Sequence, residues 1–219
     1  MAWWTNPQWI AAVGTASATL ILALGYGLPL LWRVLRRPRL RITFGKGGPW
    51  TRLIPIVGDP SVQWGLFVRV YVCNQGQTAA RLVKGRLEAI QTRTGQTDPT
   101  MDAIDLHWVG TPKVARPDGI LLLPKQGEYL DLFFIQDESK RSIATATHFF
   151  YNAQDPTPRG LPASAMFEGQ RMIVRVAAEN ASAVGIELQL PEGTIGNAET
   201  EGFSFRYLHA GDIPQAWQQ

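Results

Sequence analysis

From Met1 to Trp32 the chain carries no charged side chain, and the charges that follow are all of one sign: Arg33, Arg36, Arg37, Arg39 and Arg41. An apolar run of this length calls for an apolar environment. Ile10 to Trp32 is 23 residues, or roughly 35 Å of helix against about 30 Å of bilayer hydrocarbon. Trp3, Trp4 and Trp9 stand at one end and Trp32 at the other, where amphipathic indoles settle at the headgroup level of each leaflet. Gly25, Gly27 and Pro29 are expected to loosen or kink the last turns, as membrane helices tolerate. A cleaved leader begins with positive residues, and here every positive residue follows the run, so a retained anchor is expected. The same asymmetry predicts an inner (cytoplasmic) membrane location with the N-terminus outside and the rest of the chain on the cytoplasmic side.

The first half of this segment is rich in small residues. Gly14 and Ala18, and likewise Ala12 and Ala16, have the small-xxx-small spacing that lets two helix backbones approach closely. Packing against a helix of another integral membrane subunit is therefore expected along that face. The juxtamembrane arginines serve topology first, with anionic lipid headgroups as natural neighbours.

Charge is unevenly divided. Residues 1–58 hold seven bases and no acid, while residues 59–219 hold 14 bases and 18 acids, a balance of −4. A nucleic-acid partner would need a basic stripe on the folded part, so none is expected. Cys73 is the single cysteine, which excludes an intramolecular disulfide and fits a reducing compartment.

Beyond Pro38 the apolar period changes to two. Leu40, Ile42 and Phe44 alternate with polar neighbours, as do Leu66 to Val72, Val83 to Ala89, Leu130, Leu132 and Phe134, Met172 to Ala178, Ile186 to Leu190, and Phe203 to Tyr207. Residues 104–108, 119–123 and 145–151 are further candidates. Turn signals such as Asn74-Gln75-Gly76 and Pro191-Glu192-Gly193 separate the runs, and no helical stretch is evident after the anchor. Seven to ten short strands predict a β-sandwich. The expected organisation is an anchor over 1–37, a β-domain over 38–210 and a tail over 211–219.

The stretch Val70-Tyr71-Val72-Cys73-Asn74-Gln75-Gly76-Gln77-Thr78-Ala79-Ala80, continuing to Val83 and Leu87, resembles the strand–turn–strand of immunoglobulin-like adhesion and accessory modules of bacteria. Leu106-His107-Trp108, Tyr129-Leu130-Asp131-Leu132 and Ala178-Glu179-Asn180 are similar to elements of uncharacterised bacterial single-span membrane proteins with one such domain. The resemblance covers about 20 of 219 residues. It implies a mainly β, immunoglobulin-like β-sandwich preceded by one transmembrane helix, and transfers no catalytic residue.

The densest polar cluster is Asp102, Asp105 and His107. On one strand Asp105 and His107 would share a face and, with a third ligand, could hold a metal; without an HxH or HxxxH pairing, a solvated strand start is the better reading. Gly45-Lys46-Gly47-Gly48 lacks the Ser or Thr and the helix of a phosphate loop. Cys73 has no neighbour in sequence to activate it. The expectation is a non-enzymatic accessory or assembly subunit of a larger membrane complex, with no metal or cofactor. A tethered enzyme using Asp102, Asp105 and His107, or an anchored ligand-binding module, are the alternatives.

Overall fold

The computed structural model describes residues 15–21, 23–56, 63–91, 95–97, 103–109, 119–137, 147–150, 159–161, 170–189 and 203–209. The chain divides into two compact units, residues 1–37 and 38–219.

In the first unit residues 15–21 are helical, Ala23–Gly27 form a π turn, and Leu28–Leu35 form helix α1. Pro29, in the first turn of α1, has no N–H to give to a carbonyl one turn earlier, and a wider π turn accommodates the break. The Thr19 hydroxyl donates to the Thr15 carbonyl at 2.9 Å, which keeps that polar group satisfied within the helix. The last turn closes as the Arg36 N–H donates to the Trp32 carbonyl at 3.0 Å. The described residues thus give shorter helical pieces where the sequence predicts one helix over 10–32. Among them no helix is long and apolar enough to cross a membrane. Trp3, Trp4, Trp9, Ala12 and Gly14 lie outside the described residues.

The second unit is mainly β. Its described strands are β1 (Leu40–Thr43), β2 (Thr51–Ile56), β3 (Gln63–Asn74), β4 (Ala80–Gln91), β5 (Ile104–Asp105), β6 (His107–Trp108), β7 (Ile120–Leu122), β8 (Gly127–Asp137), β9 (Thr147–Phe150), β10 (Arg159–Leu161), β11 (Arg171–Ala178), β12 (Ala181–Gln189) and β13 (Ser204–Leu208). They form two antiparallel sheets. One has the order β1-β3-β8-β9-β10, with β2 also on β3 and β6 also on β8; the other has the order β13-β12-β11-β4-β5, with β7 also on β4.

Period-two alternation explains the core. Leu66, Val68, Val70 and Val72 on β3 are buried, as are Val174 and Val176 on β11 and Ile186 and Leu188 on β12, and all join one cluster fed by both sheets. Gly85 on β4 faces Leu130 of the other sheet; a Cβ at that position would lie 2.3 Å from Leu130 Cδ2. Only the bare backbone leaves Leu130 its place.

Leu130 and Leu132, expected on the inward row, are buried in the core. The β3–β8 pairing shifts between Val68 and Arg69, with Val68 opposite Phe133 and Arg69 opposite Asp131, so Leu132 is the extra residue of a β-bulge, and Phe133 is fully buried as well. The strand β2 is unforeseen because Pro55 lies within it. A proline is compatible with an edge strand, whose outer N–H groups need no ladder partner, and among the described residues β2 pairs with β3.

Candidate functional site

The side chains singled out in the first unit are exposed where they are described. Ala16 and Ala18 lie on the helical stretch 15–21 with exposed side chains. Large apolar neighbours are exposed as well, among them Leu20, Ile21, Leu24, Leu28, Leu31, Val34 and Leu35. Trp32 is exposed, with the Arg36 guanidinium 4.1 Å above its ring, a cation–π contact at the basic end of the run. Arg36, Arg37, Arg39 and Arg41 are exposed; Arg39 and Arg41 belong to the second unit.

Of the cluster Asp102, Asp105 and His107, Asp102 lies outside the described residues, and Asp105 and His107 pair into different sheets, the chain crossing from one to the other at Leu106. Asp105 pairs with Arg86 on β4, the side chains 3.6 Å apart. His107 pairs with Asp131 on β8, its Nδ1 3.9 Å from Asp131 Oδ2. Leu106 between them is buried and donates its N–H to the Gly85 carbonyl at 2.8 Å. The strand geometry that would give Asp105 and His107 a common face is interrupted there. Among the described residues no group of three His, Cys, Asp or Glu could hold a metal ion.

His107 joins a different constellation on the outward face of the β3–β8 pair. Arg69 Nε lies 3.4 Å from Asp131 Oδ1, Tyr71 and Tyr129 stack with centroids 5.0 Å apart, and the Arg69 guanidinium lies 5.9 Å from the Tyr129 ring. Burial pushes the Asp131 carboxyl above its ordinary range; Arg69 and His107 pull it back only in part, and Glu128 adds to the rise. The contacts around the Asp131 carboxyl are ion pairs within one sheet face. Sequence reasoning missed this group because its members come from three strands, and only the register brings them together.

Cys73 is half-buried on β3, and burial raises its thiol above the ordinary value against the pull of Arg41 and Lys125. A raised thiol is a poor nucleophile at neutral pH.

Asn74 does more than turn the chain. Fully buried, it donates from Nδ2 to the carbonyls of Thr78 at 2.7 Å and Leu122 at 3.1 Å. Its Oδ1 accepts from the N–H groups of Gly76 at 3.0 Å and Arg39 at 3.1 Å. The short side chain that favours Asx turns therefore ties the start of the unit at Pro38–Arg39 to the β3–β4 and β7–β8 turns.

A cavity of about 430 Å³ opens where β1 meets β12 and β13, lined by Leu40, Arg41, Ile42, Gln75, Val184, Gly185, Tyr207, Leu208 and His209. Tyr207 closes one end of this seam: its hydroxyl accepts from the Phe44 N–H at 3.2 Å and donates to the Phe44 carbonyl at 3.4 Å.

No protein-family model matches the chain, and no curated protein matches it. Among solved structures it is similar to a chain of the archaeal flagellum of Methanospirillum hungatei strain JF1, 12% identical, over 85% of this chain and 93% of that one, with a TM-score of 0.34. A likeness that low carries no argument about fold or function.

Proposed function

We propose that this protein is a non-enzymatic accessory or assembly subunit of a larger membrane complex, for instance a respiratory or photosynthetic assembly. Residues 10–32 hold it in the inner membrane, and an immunoglobulin-like sandwich, residues 38–210, lies on the cytoplasmic side. One observation carries the reading: a charge-free run ends in a block of arginines, and its described large side chains are exposed although apolar. Moving the five aliphatic side chains of this kind within the run (Leu20, Ile21, Leu24, Leu28 and Leu31) out of water is favourable by on the order of 10 kcal/mol. A bilayer and a neighbouring helix offer that environment. The core drawn from both sheets supports the sandwich.

The test is extraction followed by native purification. Alkaline carbonate should leave the full chain in the membrane pellet, and mild detergent should release it with stoichiometric partner subunits. Gly14→Leu with Ala18→Leu should preserve insertion, since the segment stays apolar, and abolish co-purification by pushing the partner helix away. Release by carbonate would defeat the anchor, and retention with no partner would defeat the assembly role.

An anchored ligand-binding module is the second reading, favoured by the seam cavity beside Arg41 and His209. A ligand held there must raise the melting temperature of the full chain.

A further inference from the structure

The second unit exposes three leucines side by side. Ala80 pairs with Leu122 and Val83 with Ile120, and the register shifts between them, so Arg81 and Leu82 together stand against Leu121. Leu123 follows two residues on, and residues two apart share a face of a strand. Leu82, Leu121 and Leu123 are 49%, 57% and 50% exposed. Leu82 has φ 50°, a conformation uncommon for leucine and retained only where the surrounding structure holds it. Exposed Arg81 and Lys84 lie on β4 with Leu82, exposed Lys125 lies in the turn after Leu123, and exposed Arg39 is joined to Leu122 through Asn74; the exposed acid Glu179 is also near, its N–H donating to the Arg81 carbonyl. Among the described residues the ion pairs use Arg69, Arg86, His107, Arg171, Arg175 and Arg206.

Charge selects the occupant of this patch. Asn74 grips the Leu122 carbonyl and the Arg39 N–H with one side chain, which places the backbone of Arg39 beside β7. The exposed bases Arg39, Arg81, Lys84 and Lys125, set against the exposed acid Glu179, call for an anionic surface.

We infer that Leu82, Leu121 and Leu123, ringed by Arg39, Arg81, Lys84 and Lys125, form a docking face for an anionic bilayer surface. The leucines enter the headgroup layer while the cations meet lipid phosphates, the combination by which peripheral surfaces bind anionic leaflets. The inference rests on the membrane anchor proposed above.

The experiment uses the full chain, in vesicles of phosphatidylcholine with or without phosphatidylglycerol. A Cys73→Ser background carries an environment-sensitive fluorophore at Leu121→Cys, or at Ser204→Cys as a control. Ser204 is exposed and opposite Gln189, at the far end of β12 from Ala181. The expected result is a blue shift and quenching by brominated lipid at position 121 in anionic vesicles, lost in high salt or with Arg39→Glu plus Lys125→Glu, and no response at position 204. Carbonate retention is measured on the same samples. Retention with an unresponsive label at 121 overturns the docking face and leaves the anchor standing, whereas release by carbonate overturns both. A response that needs a co-purified subunit and no anionic lipid overturns it too, and assigns the leucines to a protein contact.

Discussion

On the outward face of the β4–β11 pair, Arg175 and Glu88 form an ion pair with side chains only 11% and 5% exposed, Arg175 Nε donating to Glu88 Oε1. On the outward face of the β3–β8 pair, Asp131 is similarly covered, 15% exposed, yet Arg69 Nε stands 3.4 Å away and His107 Nδ1 3.9 Å away. Burial pushes Asp131 above its ordinary range, and these more distant partners lower it only in part. What a covered carboxyl contributes to stability thus depends on how close its partner stands. Removing charge should therefore have opposite consequences on the two faces.

The largest effect is expected from Arg175→Leu. It leaves the Glu88 carboxylate covered and without its partner, at about 3–5 kcal/mol, or a melting point lower by roughly 10 °C. Adding Glu88→Leu should restore most of the loss, because two apolar side chains of similar volume replace the pair. If the double variant melts as low as the single one, packing by the arginine stem, and not its charge, holds this face.

These two faces also mark what the sequence could reveal. The alternation of Leu66 to Val72 and of Met172 to Val176 is visible in the letters, because a half-buried strand imposes period two, and the core follows from it. The turn at Asn74-Gln75-Gly76 is equally legible. The pairing of charges is not. Glu88 meets Arg175 across 87 residues, and Asp131 meets His107 only because the chain changes sheets at Leu106, which splits the polar run Asp102–His107 that sequence alone would keep together. Phe133 joins Leu130 and Leu132 in the core through a single bulge. Such facts belong to register, which one-residue shifts rewrite entirely. The helical unit is the converse case. Its apolar, charge-free character is plain in the sequence, while the π turn Ala23–Gly27 ahead of α1 depends on how the backbone answers Pro29.

A smaller effect is expected from Arg69→Leu. Arg69 is 29% exposed, so solvent screens part of its attraction, and the loss at neutral pH should be about 1 kcal/mol, or roughly 2–4 °C. Asp131 should then take up its proton at still higher pH, since only His107 would remain to favour the carboxylate. The measurement is the melting temperature of both proteins against pH. The gap should close in acid, where Asp131 is protonated in either case. A gap that persists unchanged in acid would mean that the stacking of Arg69 near Tyr129 matters more than its charge.

The smallest effect, and the sharpest in sign, is expected from Asp131→Asn. In the folded protein the Asp131 carboxyl binds its proton more tightly than in the unfolded chain, because burial raises its pKa more than Arg69 and His107 lower it. The stability tied to that proton is fully present below the ordinary carboxylate value of 3.8. It is lost as the pH rises from there through the raised value. Asparagine has the shape of the neutral acid at every pH and suffers no such loss. The variant should therefore melt with the parent protein in acid and slightly above it at neutral pH, by less than the shift expected for Arg69→Leu. Glu88→Gln on the other face should do the reverse at neutral pH, because there the close Arg175 makes the charge favourable. If Asp131→Asn instead melts below the parent at neutral pH, Arg69 and His107 more than offset the burial of Asp131, and the two faces follow one rule.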